Sequence, residues 1–150
     1  MIAWKYIDKS SATIGAIRDY ASMRNIINIT PQDIKELYDR MVSPRNGKMS
    51  HTPRNYNPGS AEDKLASSLD KLDAMQERYR LAIEYMGWFE PAWSSLTDTE
   101  QCILREFYMA GTLKSGATAR LKDVLNFSEP HIERLRGKAL SRLALLLFGK

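Results

Sequence analysis

Residues 126–140 read NFSEPHIERLRGKAL, and they give the clearest structural signal in the chain. Ser128 lies where a helix N-cap is expected, because its hydroxyl can accept a hydrogen bond from a free amide of the first turn. Pro130 falls inside that turn, where its missing N–H costs little. Apolar residues then recur at helical spacing, at Ile132, Leu135, Ala139 and Leu140. These features predict a helix that begins at Glu129.

A shorter apolar stripe precedes this helix. It consists of Leu121, Val124 and Leu125, and it ends at Asn126. Two helices joined by a tight turn, the second with a polar outer face, are the outline of a helix-turn-helix. The outline predicts binding to nucleic acid rather than catalysis.

The first 42 residues predict two helices. One spans residues 2–27, where apolar side chains at intervals of three and seven are typical of a helix that lies along another helix. Thr30, Pro31 and Asp33 form a helix-start signal, so a second helix is expected from this point to Ser43.

Residues 43–60 differ in composition, with three prolines, two glycines, the cations Arg45, Lys48 and Arg54, and no acid. They predict a basic loop, which is either a solvated linker or an arm that reaches DNA.

A long helix is expected from the capping segment at 60–63 until Pro91. Its apolar residues step by three or four throughout and must be buried somewhere. The helix at 2–27 can cover them, which gives an N-terminal helical hairpin or bundle over residues 1–90. Alternatively two copies of the chain pair through 61–90 as a homodimer that reads two half-sites.

After the helix-start signals at 30–33 and 60–63, a third such signal is the capping box from Thr97 to Glu100, which begins the C-terminal part of the chain. Gly111 is placed to end the following helix in the left-handed conformation. No segment alternates apolar and polar residues, so we expect an all-α fold with a helix-turn-helix module over residues 94–150.

The composition and motif content of the chain limit which classes of function it can have. A hydrophobic content of 43% is enough for a packed core, and a net charge of +4 is compatible with a phosphate-binding surface. The single cysteine, Cys102, suits a reducing cytoplasm, and the longest apolar run, 143–148, is too short to span a bilayer. There is no nucleophile motif, no phosphate-binding glycine loop and no pair of histidines at metal-ligand spacing. We therefore expect no catalysis, cofactor, metal or membrane contact.

Residues 96–143 carry the pattern of a known family. The matching segments are LTDTE at 96–100, Phe107-Tyr108, LNFS at 125–128 and KALSRL at 138–143. This pattern resembles region four of bacterial sigma factors. With the helical N-terminal half and the basic middle, the layout is similar to a family of small phage and prophage proteins regarded as sigma-like regulators of late transcription.

The resemblance implies that the helix from Glu129 enters the major groove of double-stranded DNA. The base-reading positions of the family fall on Glu129, Pro130, Glu133 and Arg134, and a phosphate-contacting lysine falls on Lys138. It also implies action with host RNA polymerase in the bacterial cytoplasm.

Further candidate phosphate contacts surround these positions. They are Lys114, Arg120, Ser128, His131, Arg136 and Arg142. For each cation the alternative is a solvated surface residue that only keeps the module soluble.

Glu129 and Glu133 stand where sigma factors tend to carry arginine. A glutamate can accept a hydrogen bond from cytosine N4, but it also repels phosphates. Acids on this face suit a basic protein surface, so a second hypothesis is a protein-interaction adaptor or a phage inhibitor of a host nucleic-acid machine. Lys122 stands where the motif usually has a small residue, and its stem is expected to reach out to solvent.

Overall fold

A computed structural model describes residues 8–42, 58–111 and 113–149, without the side chains of 58–61. The described residues contain helices and no strand, so the all-α prediction is confirmed. Most of the predicted basic loop at 43–60, with Arg45, Lys48 and Arg54, lies outside the described residues, as do residues 1–7. The helices are α1 (Lys9–Val42), α2 (Pro58–Ser94), α3 (Asp98–Leu104), α4 (Lys114–Leu125) and α5 (Glu129–Phe148), with a π-helical segment, Arg105–Met109, directly after α3.

Two predicted helix boundaries are wrong. Pro31 lies inside α1, which continues unbroken from Lys9, and Pro91 lies inside α2, which continues to Ser94. A proline within a helix removes one hydrogen bond and its ring crowds the preceding turn. Buried residues occur on both sides of each proline, Ile17 and Leu37 in α1, and Phe89 and Trp93 in α2. We infer that packing of both halves outweighs the lost hydrogen bond.

The helix ends are determined by side-chain hydrogen bonds and by the backbone conformation of adjacent residues. Asp8 begins α1, because its carboxylate accepts hydrogen bonds from the backbone amides of Ser10 and Ser11. The hydroxyl of Ser11 also donates to it, which lowers the pKa of Asp8. The capping box between Thr97 and Glu100 is confirmed, and so is the left-handed conformation of Gly111.

The cap at Thr97 supplies a direct stability test. Its hydroxyl accepts from the amide of Glu100, and the carboxylate of Glu100 accepts from the amide of Thr97 at 2.9 Å. Thr97→Ala is expected to lower the free energy of unfolding by about 1 kcal/mol, because one amide loses its partner. Urea denaturation followed by circular dichroism measures the loss. Thr99→Ala is the matched control, because Thr99 lies two residues further along the chain and is not part of the capping box. An equal loss of stability in both variants would contradict the capping role.

The described residues divide into two compact units. One contains residues 8–24, 84–111 and 113–149, and the other contains 25–42 and 58–83. The first unit therefore combines parts of the predicted N-terminal hairpin with the whole C-terminal module. In the second unit Leu37 is buried, but several large apolar side chains are substantially exposed, namely Ile29, Tyr38, Val42, Leu65, Leu69, Leu81 and Ile83.

The first unit has two apolar clusters. The larger joins α1, the end of α2, α3 and α5, and its buried members are Ala16, Ile17, Phe89, Ala92, Trp93, Leu96, Leu104, Ala139, Leu143 and Leu147. The hydroxyl of Tyr85 donates to the backbone carbonyl of Ala16, and burial raises the pKa of Tyr85. This cluster anchors the C-terminal half of α5 and leaves its N-terminal half to the second cluster.

Candidate nucleic-acid interface

Residues 126–128 form a three-residue turn between α4 and α5. Asn126 has a positive φ of 54°, and its amide donates to the carbonyl of Lys122 at 3.0 Å, which closes α4. Asparagine and glycine tolerate this left-handed conformation better than other residues. The chain then enters α5 at Glu129, as predicted.

Ser128 has the extended backbone of an N-cap, but its hydroxyl makes no capping hydrogen bond. The predicted side-chain cap is therefore wrong. An N-cap side chain binds the amide of the second or third helical residue. The second is Pro130, which has no N–H, so only the amide of His131 is left for such a bond. At Ser128 the backbone carbonyl alone bonds to the helix: it accepts a hydrogen bond from the amide of Ile132 at 3.0 Å.

The smaller apolar cluster fixes the orientation of α5. Its buried members are Ile103, Phe107, Ala117, Leu121 and Ile132, drawn from α3, the π-helical segment, α4 and α5. Ile132 and Leu121 are fully buried. Because Ile132 points into this cluster, the opposite side of α5 faces solvent.

The solvent-facing side of α5 forms a strip without acids. Its members are Pro130, Arg134, Gly137, Lys138 and Ser141, which recur every three or four residues and are all exposed. Neither Arg134 nor Lys138 forms an ion pair with any described residue. We call this set the α5 strip. It includes two of the four predicted base-reading positions, Pro130 and Arg134.

The two glutamates predicted to read bases lie beside the α5 strip and are held by cations. Glu129 pairs with Nζ of Lys122 at 3.3 Å. Glu133 is half-buried, pairs with Nζ of Lys114 at 3.6 Å and accepts a hydrogen bond from the guanidinium of Arg136. Lys122 is exposed, as expected.

Arg136, a predicted phosphate contact, lies partly beneath the surface of the module. Its guanidinium is 4.9 Å from the ring centre of Phe107 and donates to the hydroxyl of Tyr108 at 3.4 Å. A guanidinium over an aromatic face is attracted by the ring quadrupole. Arg136 therefore connects α5 to the π-helical segment and to Glu133 at the same time.

The other predicted phosphate contacts lie on α4, in the turn and on α5. Arg120 pairs with Glu106 at 3.5 Å, and Arg142 pairs with the capping Glu100 at 3.2 Å. His131 is half-buried and meets Phe127 edge-to-face, with ring centres 4.8 Å apart. Ser128 is exposed at the start of α5. Arg120 and Arg142 thus have ion-pair partners, whereas Lys138 has none within the part of the chain that the structure describes.

Sequence reasoning missed the partners of these cations. Glu133 and Arg136 are three residues apart, and a helical pair at that spacing was a readable signal. The pairs of Lys122 with Glu129 and of Lys114 with Glu133 join two helices across the turn. Those pairs depend on how α4 packs on α5, which local spacing does not encode.

A comparison with protein-family models, curated proteins and solved structures finds no match to this chain. The resemblance to sigma region four therefore stays a hypothesis. Among the described helices, none is both long and apolar enough to cross a membrane.

Proposed function

We propose that this protein is a sequence-specific, DNA-binding transcription regulator that acts with a bacterial host RNA polymerase in the cytoplasm. The observation that carries the proposal is the α5 strip, an exposed, acid-free surface on a helix that follows a three-residue turn. An α-helix fits the major groove, where base edges present a distinct pattern for each base pair. A surface with Arg134 and Lys138 and no acid suits that environment.

Each cation of the α5 strip has a separate role in this proposal. Arg134 lies in the second turn of α5 and donates its two parallel N–H groups to guanine O6 and N7. Lys138 lies one turn further along and contacts a phosphate, which fixes the position of the helix on the duplex. Phosphate contacts set affinity and its salt dependence, and base contacts set sequence preference.

A titration of the full-length protein against labelled genomic DNA fragments tests the proposal. We expect mobility shifts that differ between fragments and that weaken steeply from 50 to 200 mM salt, because phosphate contacts release counterions. The absence of any shift at 50 mM salt would contradict DNA binding by this chain alone.

A protein-interaction adaptor is the second candidate. An open groove of about 360 Å³ in the first unit favours it. The groove is lined by Gly87, Trp88, Pro91, Ala92, Ser95 and Leu146. Trp88 is 40% exposed, and tryptophan is enriched among the residues that contribute most binding energy at protein interfaces. Absence of a DNA shift, together with capture of purified host RNA polymerase, would support the adaptor over the regulator.

A homodimer is a further part of the proposal. The exposed apolar side chains of α2, including Leu65, Leu69 and Ile83, support pairing of two copies through this helix. Such a dimer presents two α5 strips to two half-sites. Light scattering of the purified protein tests it, and a monomeric mass at micromolar concentration would contradict it.

A further inference from the structure

The start of α5 combines two acids with a face that is proposed to approach phosphates. Glu129 is in the first turn and Glu133 is in the second, both next to the α5 strip. A carboxylate close to a phosphate is repelled, and the repulsion is strongest where water is displaced. An acid at either position would therefore oppose DNA binding unless its charge were balanced.

The balancing cations come from α4. Lys122, near the end of α4, pairs with Glu129, and Lys114, at the beginning of α4, pairs with Glu133. The two pairs therefore involve both ends of α4 and the first two turns of α5. Both lysines keep substantial exposure, with 45% of the Lys122 side chain and 65% of the Lys114 side chain accessible to solvent.

We propose that Lys122 is a positioning residue for DNA binding, which holds the Glu129 carboxylate against α4 and away from the phosphates and does not itself contact DNA. The inference rests on the proposed function, because it concerns the same surface of α5. Glu129 has Lys122 as its one ion-pair partner among the described residues, whereas Glu133 has both Lys114 and Arg136. Loss of Lys122 therefore leaves the Glu129 carboxylate unbalanced, and loss of Lys114 leaves Glu133 with Arg136.

A double-mutant cycle separates this role from direct phosphate contact. The variants are Lys122→Ala, Glu129→Gln and the combination of the two, in the full-length protein. The probe is the labelled DNA fragment that the unaltered protein binds best, followed by fluorescence anisotropy. Lys122→Ala is expected to raise the Kd about fivefold in the Glu129 background, because the freed carboxylate can approach a phosphate and two like charges about 4 Å apart in water repel by about this factor. In the Glu129→Gln background the same change is expected to alter the Kd by less than about twofold, because no carboxylate is left to be held away from the phosphates.

Salt dependence gives an independent readout. A lysine that contacts a phosphate contributes about one to the slope of log Kd against log salt concentration. The slope for the double variant is expected to equal the slope for Glu129→Gln alone. Lys35→Ala, which removes an exposed lysine on α1, is the matched control for loss of one positive charge, and it should leave the Kd unchanged.

The outcomes are distinct. An equal loss from Lys122→Ala in both backgrounds, with a slope reduced by about one, would overturn the inference and identify a phosphate contact. No loss in either background would also overturn it. Failure of the unaltered protein to bind any fragment would overturn the proposed function itself. Thermal unfolding midpoints of the same variants show whether a variant that binds DNA more weakly has also lost its fold.

Discussion

Arg134→Ala is expected to reduce the preference of the protein for its best DNA fragment over random duplex by between about 5-fold and about 150-fold. A bidentate arginine–guanine contact contributes roughly 1–3 kcal/mol of discrimination. Arg134 is exposed and has no ion-pair partner among the described residues, so its removal breaks no ion pair there. Competition titrations with specific and random duplexes at one salt concentration measure the ratio.

Lys138→Ala is the matched variant, because Lys138 lies four residues further along the same exposed strip. It is expected to weaken binding to all sequences alike and to lower the salt slope by about one. An Arg134→Ala variant that lost affinity equally on every duplex would assign Arg134 to the phosphates instead of the bases.

Phe89→Ala is expected to lower the free energy of unfolding by about 3–5 kcal/mol. The ring of Phe89 is fully buried, with its centre 5.3 Å from that of Tyr85 and 5.6 Å from those of Tyr20 and Trp93. Its removal leaves a cavity where α1, α2 and α5 meet. Since domains of this size are stable by about 5–15 kcal/mol, the loss is a large part of the total.

Urea denaturation followed by circular dichroism measures this loss. Leu145→Ala is the control, because Leu145 is 55% exposed on α5 and its truncation should change stability by less than about 0.5 kcal/mol. If Phe89→Ala cost no more than Leu145→Ala, the large cluster would not be the main source of stability in the first unit.

The sequence was sufficient for features that depend on neighbouring residues. The capping box at Thr97, the left-handed Gly111 and the beginning of α5 at Glu129 are confirmed, because each depends on a few adjacent residues. The all-α fold is confirmed for a similar reason, since helical periodicity repeats within short windows.

The errors arose where packing outweighs a local rule. Pro31 and Pro91 are helix-ending signals in isolation, but buried residues on both sides keep each helix continuous. The absent side-chain cap at Ser128 is a separate case: Pro130 has no amide to donate, and the hydroxyl does not bind the amide of His131 either. The π-helical segment after Leu104 has no sequence signature that we recognise, although it contributes Phe107 and Tyr108 to the surroundings of Arg136.

The candidate site shows the same contrast between features set by neighbouring residues and features set by packing. The exposure of Arg134 and Lys138 follows from the apolar period of α5, which places Ile132 in the core. The ion pairs of Lys114 and Lys122 join two helices, so they depend on tertiary geometry. The sequence alone therefore predicts which side chains α5 exposes but not which charged side chains are paired across the two helices.

The positive φ of Asn126 restricts how this surface can change in evolution. It is the one non-glycine residue with that conformation among the described residues, and it determines the direction in which the chain leaves α4. Under the proposed function, related chains are expected to vary at Arg134 and Lys138 as their target sites diverge, while retaining asparagine or glycine at position 126. A β-branched residue at that position would be strained at this φ, so one torsion angle limits which residues can precede the exposed surface of α5.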